Sequence, residues 1–244
     1  MAAAAAAAAA VPPNIYVIGS QSTGKTTLVN ALVAHFEKAA ATEPEARPPG
    51  VVKEVAREVL ARHSFTRGDI RDSRARALAL QRLIVEAQAA AEATQLLLQP
   101  DAWFISDRSG VDPVVYARRY AGRAAGDALA GTPAWAALRD RMARSLVVVC
   151  EAGGIDWLVD DGVRLMPLDA AEWAQLHAEF CRVLDDAGIA YHVVPAEMQD
   201  LGDRVRYVLA RWEKKKKKTT QLAAAAEGDD EREHLPREGN GLLN

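Results

Sequence analysis

Cysteine is scarce in this chain: there are two in 244 residues, Cys150 and Cys181. They form no C-x-x-C pair and have no histidine at ligand spacing, which argues against a cysteine-built metal site. Two buried free thiols are expected instead. An excess of one charge is also missing. Thirty Lys and Arg stand against 33 Asp and Glu, a formal charge of −3, and this exerts no global pull toward nucleic acid or an anionic membrane. Long apolar runs are absent as well. The alanine run Met1–Ala10 is too short and too weakly apolar to span a bilayer, and it lacks the basic start of a secretory signal. The expectation is an intracellular, cytoplasmic chain with no transmembrane segment.

Half of the residues are apolar, enough for one good core at this length. The composition sets the boundaries: residues 1–12 read as a disordered Ala-rich start, 13–212 as one folded domain, and 213–244 as a disordered Lys-rich then polar tail. Within the domain, short β-branched runs alternate with helical patterns. Strands are expected at Ile15–Ile18, Val51–Val52, Trp103–Ser106, Leu146–Cys150 and Tyr191–Pro195. From Asp72 to Gln99 no Gly or Pro intervenes, so one helix of about 42 Å is expected, stopped by Pro100. Shorter helical patterns cover Val114–Tyr120, Pro133–Arg144 and Leu201–Trp212. Asp169 and Glu172 are spaced as a capping box, Leu168 and Trp173 as a hydrophobic staple, and Gly188 as a stop, which defines a helix over 169–187. The pattern implies an α/β fold, a three-layer arrangement with a parallel five-stranded sheet covered on both faces. Ligands belong at the carboxyl ends of such strands.

The motif with the most chemistry is Gly19-Ser20-Gln21-Ser22-Thr23-Gly24-Lys25-Thr26, which fits G-x-x-x-x-G-K-[ST] between a strand and a helix signal. Its glycines let successive N–H groups turn inward onto phosphate oxygens at a helix N-terminus. Gly19, Ser22, Thr23, Gly24, Lys25, Thr26 and Thr27 are the expected nucleotide contacts, with Lys25 reaching the terminal phosphates and Thr26 binding Mg2+. A nucleoside triphosphate is therefore the expected ligand, ATP or, since the loop reads only phosphates, GTP. Asp107 ends the third strand, where such proteins place the carboxylate that holds Mg2+. The next residue is Arg108 rather than a water-activating glutamate, which suits holding an acceptor or a phosphate. Glu54, Arg57 and Glu58 follow the second strand at helical spacing. Asp160-Asp161-Gly162-Val163-Arg164 lies where a lid could bring Arg164 over the phosphates. There is no N-K-x-D sequence, which argues against an ordinary small GTPase. Lys214–Lys218 fits a nuclear-import signal or an anionic-surface contact, and the acidic Glu227–Glu231 weakens a nucleic-acid reading.

Taken in order, five stretches resemble the NadR-type P-loop domain family, an AAA domain group that includes the nicotinamide-riboside kinase domain of bacterial NAD regulators. They are the 19–26 loop, Glu54–Glu58, Gln81–Glu92, Ser106–Ser109 and Asp161–Arg164, within a span of about 14–210. The resemblance to nucleoside kinases implies Glu54 as base for an acceptor hydroxyl, with Arg57 and Arg108 positioning acceptor or phosphates. It also implies Arg164 as a lid arginine and Gln88 as a contact to the acceptor base. No acceptor-reading signature follows the long helix, and 244 residues leave no room for the adenylyltransferase that the bacterial proteins join to this domain. Two functions stay open: an ATP-dependent kinase of a small nucleoside-like hydroxyl acceptor, and a nucleotide-dependent switch or adaptor that presents a changed surface to a protein or lipid.

Overall fold

The computed structural model describes residues 11–43, 47–98, 102–153 and 169–233. Five strands, β1 (Ile15–Ile18), β2 (Gly50–Val52), β3 (Phe104–Asp107), β4 (Leu146–Cys150) and β5 (His192–Val194), form one sheet in the order β2-β3-β1-β4-β5. Every pairing is parallel; Val17 stands opposite Asp107 on one side and Val148 on the other. This is the α/β P-loop architecture expected from the alternating pattern. Period-2 alternation divides each inner strand between two cores. Ile15 and Val17 face α1 (Lys25–Thr42) and α9 (Leu201–Glu233), where they pack with Leu28, Leu32 and Val208. Tyr16 and Ile18 face the other layer, which contains α4 (Arg74–Leu97), α5 (Val111–Tyr120), α7 (Pro133–Arg144) and α8 (Ala170–Asp186).

A third, smaller cluster joins α2 (Val55–Arg62) and α3 (Arg67–Asp72) to α4 through Val59, Ile70, Ala77, Leu80 and Ile84. The single long helix expected over 72–99 is present as α4, Arg74–Leu97, and the short α3 ahead of it was not expected. Thr66 and Asp69 make a capping box that starts α3, and Ser73 is extended and caps α4 by accepting from the Arg76 N–H at 3.3 Å. Hydroxyl and carboxylate caps thus set the starts of both helices. The helix α6 (Arg123–Leu129) was not expected; it follows Gly122, whose φ is +105°.

The helix that begins at Leu201 does not end at Trp212, where the sequence reading closed the domain, but continues to Glu233. Lysine and alanine are good helix formers, so the chain propagates an already nucleated helix. Trp212 itself is core: it stacks on Trp103 at 5.0 Å, meets Phe36 edge-on at 4.9 Å and donates to the Pro13 carbonyl at 2.8 Å. In the lysine run, Lys216 sits over the Trp212 ring and Lys215 donates to the Ala143 carbonyl at 3.5 Å. Cys150 is buried and Cys181 half-buried, both as free thiols. No described helix is long and apolar enough to cross a membrane. The alanine run 1–10, Gln99 and Pro100, Asp160–Arg164, Leu168 and everything past 233 lie outside the described residues.

Candidate functional site at the carboxyl ends of the strands

The loop between β1 and α1 has positive φ at Gly19 (+130°), Ser22 (+59°) and Gly24 (+78°). Gly19 is required twice over. A side chain there would be strained, and its Cβ would lie 2.5 Å from the Cys150 carbonyl oxygen. Three contacts from far along the chain hold the loop. Trp173 Nε1 donates to the Gln21 carbonyl at 3.0 Å, Tyr116 Oη donates to Gln21 Oε1 at 2.9 Å, and Arg204 donates to the Thr23 carbonyl at 2.9 Å. Leu168, the expected staple partner of Trp173, lies outside the described residues; Trp173 is a buried buttress of the loop, carried on α8, which the Asp169 cap starts. The carboxylate of Glu172, its expected partner in that box, accepts from Arg119 and Tyr120.

Lys25 points into the loop, where its ammonium donates to the Ser20 carbonyl and to Thr23 Oγ1. Burial, reinforced by the charge of Arg108, lowers its pKa to about 7. The hydroxyls of Ser20 and Ser22 are buried with no partner among the described residues. Thr26 Oγ1 donates to Asp107 Oδ2 at 2.6 Å, while Asp107 Oδ1 is buried and unpartnered among the described residues. Thr26 and Thr27 are exposed at the start of α1. A hydroxyl beside a carboxylate with a spare buried oxygen is an all-oxygen donor set, the kind that suits a hard divalent cation such as Mg2+.

Arg108 carries the strain of the site, with φ at +87°. Its N–H donates to the Val17 carbonyl at 3.0 Å and its own carbonyl accepts from Ser106 Oγ at 2.8 Å. Its guanidinium is buried between two carboxylates, Glu54 Oε1 at 2.7 Å and Asp112 Oδ1 at 3.1 Å. Burial alone would lower its pKa, but Glu54 and Asp112 outweigh that and hold it further toward the charged form. Asp112 is pushed up by burial and drawn back by Arg108 and Lys25. Glu54 Oε2 also accepts from Arg57 Nε at 2.9 Å, so the glutamate sits between two arginines. The structure thus brings Glu54, Arg57 and Arg108 together. Arg164 lies outside the described residues.

Gln88 lines the same cleft, yet its amide nitrogen faces inward, to Glu92 Oε1 at 2.8 Å and Ser106 Oγ at 3.1 Å. The cleft runs from Gln21 and Arg108 to an apolar end formed by Leu60, Ile70, Leu80 and Ile84. Sequence reading missed Gln21, Asp112, Tyr116, Trp173 and Arg204 as parts of this site. Asp112 had a signal, four residues after Arg108 in a helix; the contacts of Trp173 and Arg204 span more than 150 residues.

Solved structures of NadR share this fold. One, of the protein in complex with NR, superposes with a TM-score of 0.53 at 19% identity over 78% of this chain and 45% of that one. Another, in complex with NAD and AMP-PNP, gives 0.55 at 18% identity over 83% and 49%. The chain therefore spans about half the length of these NadR chains. A deoxyadenosine kinase from M. mycoides with bound dATP aligns at 14% identity and a TM-score of 0.49, over 82% of this chain and 99% of that one. No curated protein matches by sequence. The AAA domain family model matches residues 14–204, from the residue before β1 to the arginine that binds the phosphate loop, and the chain belongs to that family.

Proposed function

We propose that the protein is a P-loop kinase that transfers the γ-phosphoryl group of ATP, or of GTP, to a hydroxyl of a small nucleoside-like acceptor. One observation carries the reading: the apolar cleft opens directly onto the phosphate loop, with Glu54, Arg108 and Asp112 at the junction. A hydrolase needs no second pocket there, whereas a kinase must seat an acceptor next to the γ-phosphate. The NadR likeness supports the same fold-level assignment.

In this reading the loop N–H groups and Lys25 hold the phosphates, and Thr26 and Asp107 hold Mg2+, which when bound neutralises charge on the phosphate oxygens. Glu54 accepts the acceptor hydroxyl proton as the new O–P bond forms. The bond from Pγ to the bridging oxygen breaks and ADP leaves. Arg57 keeps the Glu54 carboxylate aimed at the cleft. Arg108 and Arg164 are assigned to the charge of the group in flight. The folded unit that does this is 13–212, with the catalytic machinery confined to it.

Purified protein with Mg2+ and ATP or GTP is offered a library of nucleosides, and phosphorylated acceptor and free phosphate are measured separately. Acceptor-dependent product, lost in Lys25→Ala and Glu54→Gln, is the expected result. Tight nucleotide binding with no transfer product to any hydroxyl acceptor would overturn it and leave the switch or adaptor reading.

A further inference from the structure

Among the described residues the exposed large apolar side chains are Val11, Leu96, Leu97, Leu98 and Leu222, with Leu97 at 85%, Leu98 at 66% and Leu222 at 62%. All of them lie at one end of the molecule. Val11 precedes β1 and Leu96–Leu98 close α4 ahead of β3, so both groups sit at the amino ends of the strands, whereas the phosphate loop follows the carboxyl end of β1. Leu222 is on the part of α9 that runs on past the sheet. That part leaves from the same end, because Trp212 is tied there, to the Pro13 carbonyl at 2.8 Å and to the ring of Trp103, just before β3, at 5.0 Å. Leu98 and Trp103 line one hollow, so the leucines of α4 adjoin the start of the α9 extension.

The lysine run stands at this end too. From Arg211 to Leu222 there are six basic residues against one acid, Glu213, in a chain whose formal charge is −3. Lys215 donates to the Ala143 carbonyl in the last turn of α7, beside the exposed Arg144, and Lys216 lies over the Trp212 ring at 5.1 Å. These two hold the helix to the domain, while Lys214, Lys217 and Lys218 are exposed. Lys214, Lys218 and Leu222 follow at i, i+4 and i+8 along one face. Burial, joined by the charges of Arg211, Lys215 and Lys214, lowers the pKa of His192 at the start of β5, so positive charge extends over this edge of the sheet. The acidic stretch that begins at Glu227 starts about 14 Å further along the helix axis than Lys218, beyond a Debye length of about 8 Å.

We propose that this end of the molecule docks on an anionic bilayer surface, with Lys214, Lys217 and Lys218 meeting lipid headgroups and Leu97, Leu98 and Leu222 entering the boundary between headgroups and acyl chains. The chain lies on the bilayer; no described helix is long and apolar enough to cross one. Three features select this occupant. The apolar side chains stand on three separate projections rather than in one groove, which a fluid surface accepts but a folded partner must match in shape. Nucleic acid offers the leucines nothing to meet, and no described Phe, Tyr or Trp is exposed for bases to stack on. A second copy docking through the same end would set one lysine run against another. On the bilayer, the phosphate loop and the cleft face away from the lipid, and nothing in the docking depends on the transfer reaction.

The test sediments the full chain with vesicles of phosphatidylcholine alone and of phosphatidylcholine mixed with phosphatidylserine, with and without the Mg2+ complex of a non-hydrolysable ATP analogue. Mixed vesicles should bind the chain and neutral ones should not, and raising salt from about 0.1 M to about 0.5 M should weaken binding at least about tenfold. Lys214→Gln, Lys217→Gln and Lys218→Gln together should cost about a hundredfold in vesicle affinity. Leu97→Ser with Leu98→Ser should cost about tenfold and keep the salt dependence. Because these positions are exposed, thermal midpoints should hold in both variants. Filling the loop with the analogue should leave vesicle affinity within about twofold, since the two ends share no contact; a larger change would overturn the separation of docking end and loop. No binding to mixed vesicles, equal binding to neutral ones, or a lysine variant that binds as tightly as wild type would each overturn the proposal. So would duplex DNA that binds more tightly than the mixed vesicles at equal salt, or a dimer that the lysine variant dissociates.

Discussion

Nucleotide binding should take up a proton, and Lys25 should be the group that receives it. In the nucleotide-free loop the ammonium is buried against the Ser20 carbonyl with its pKa lowered to about 7. Phosphate oxygens arriving within reach of that nitrogen favour the charged form and restore an ordinary lysine pKa. At pH 8 a group of pKa about 7 is about nine-tenths neutral, so each binding event should capture about 0.9 proton. Affinity should then fall about fifty-fold between pH 7 and pH 9 from this group alone. Calorimetric titration with the non-hydrolysable ATP analogue, repeated in buffers of different ionisation enthalpy at pH 8, reads the proton number as a slope. The slope should be near 0.9 for wild type and near zero for Lys25→Met. Stability carries the opposite sign. The unfolded lysine holds its proton up to its ordinary pKa of 10.5, so between pH 7 and that value the unfolded state binds more protons. The nucleotide-free protein should therefore gain up to about 1.4 kcal/mol per pH unit across that window, and Lys25→Met should lose the gain. A wild-type slope near zero at pH 8 would refute the reasoning.

Gly19→Ala should cost about 3 kcal/mol or more in urea unfolding, because the added Cβ meets the Cys150 carbonyl at a positive φ; a change below 1 kcal/mol would contradict that geometry. Asp107→Asn should remove the benefit of Mg2+, so that nucleotide affinity measured with Mg2+ equals that measured with a chelator, and a persisting difference would place the cation elsewhere. Trp212→Ala should destabilise by about 3–5 kcal/mol through loss of the Phe36–Trp103–Trp212 cluster. Ending the chain after Lys218 should leave nucleotide affinity within about twofold, since no contact of the phosphate loop comes from beyond that point among the described residues; a larger loss would tie the distal part of α9 to the site.

Much of the sheet was legible because buried parallel strands are short β-branched runs, and Ile15–Ile18 and Leu146–Cys150 are unbroken examples. The loop after β1 was legible for a different reason: its function fixes glycine at Gly19 and Gly24, whose positive φ glycine adopts at least cost. Side-chain capping was harder to see. Ser73 separates α4 from the short α3 with nothing more than a hydroxyl, and α3 lies where no helix was expected. Trp173 and Arg204 were opaque because their partners are backbone carbonyls of the loop, and a carbonyl carries no sequence signal. Glu54 and Arg108 could be guessed from order along the chain. Their 2.7 Å contact could not, since it spans 54 residues.

The buried carboxylate of Glu92 explains why the strained turn at Arg108 persists. Glu92 is fully buried and accepts from Tyr16 Oη at 2.7 Å, Arg141 at 2.6 Å and Gln88 at 2.8 Å. Burial raises its pKa, and its three donors pull the other way. As an ion pair it is poor evidence for stability, because desolvation consumes most of what the Coulomb attraction provides. Its value lies in position. Gln88, held by Glu92, fixes Ser106 Oγ, and Ser106 in turn donates to the Arg108 carbonyl. A left-handed arginine costs about 1–3 kcal/mol unless its surroundings over-determine it, and here its N–H, its carbonyl and its guanidinium are each bound. One rigid connection therefore runs from β1 and α7, through α4, to the charged junction between phosphate loop and cleft. Because α4 also lines that cleft, the helix that forms the cleft wall is the one that holds Arg108, so cleft shape and arginine placement are set by a single element.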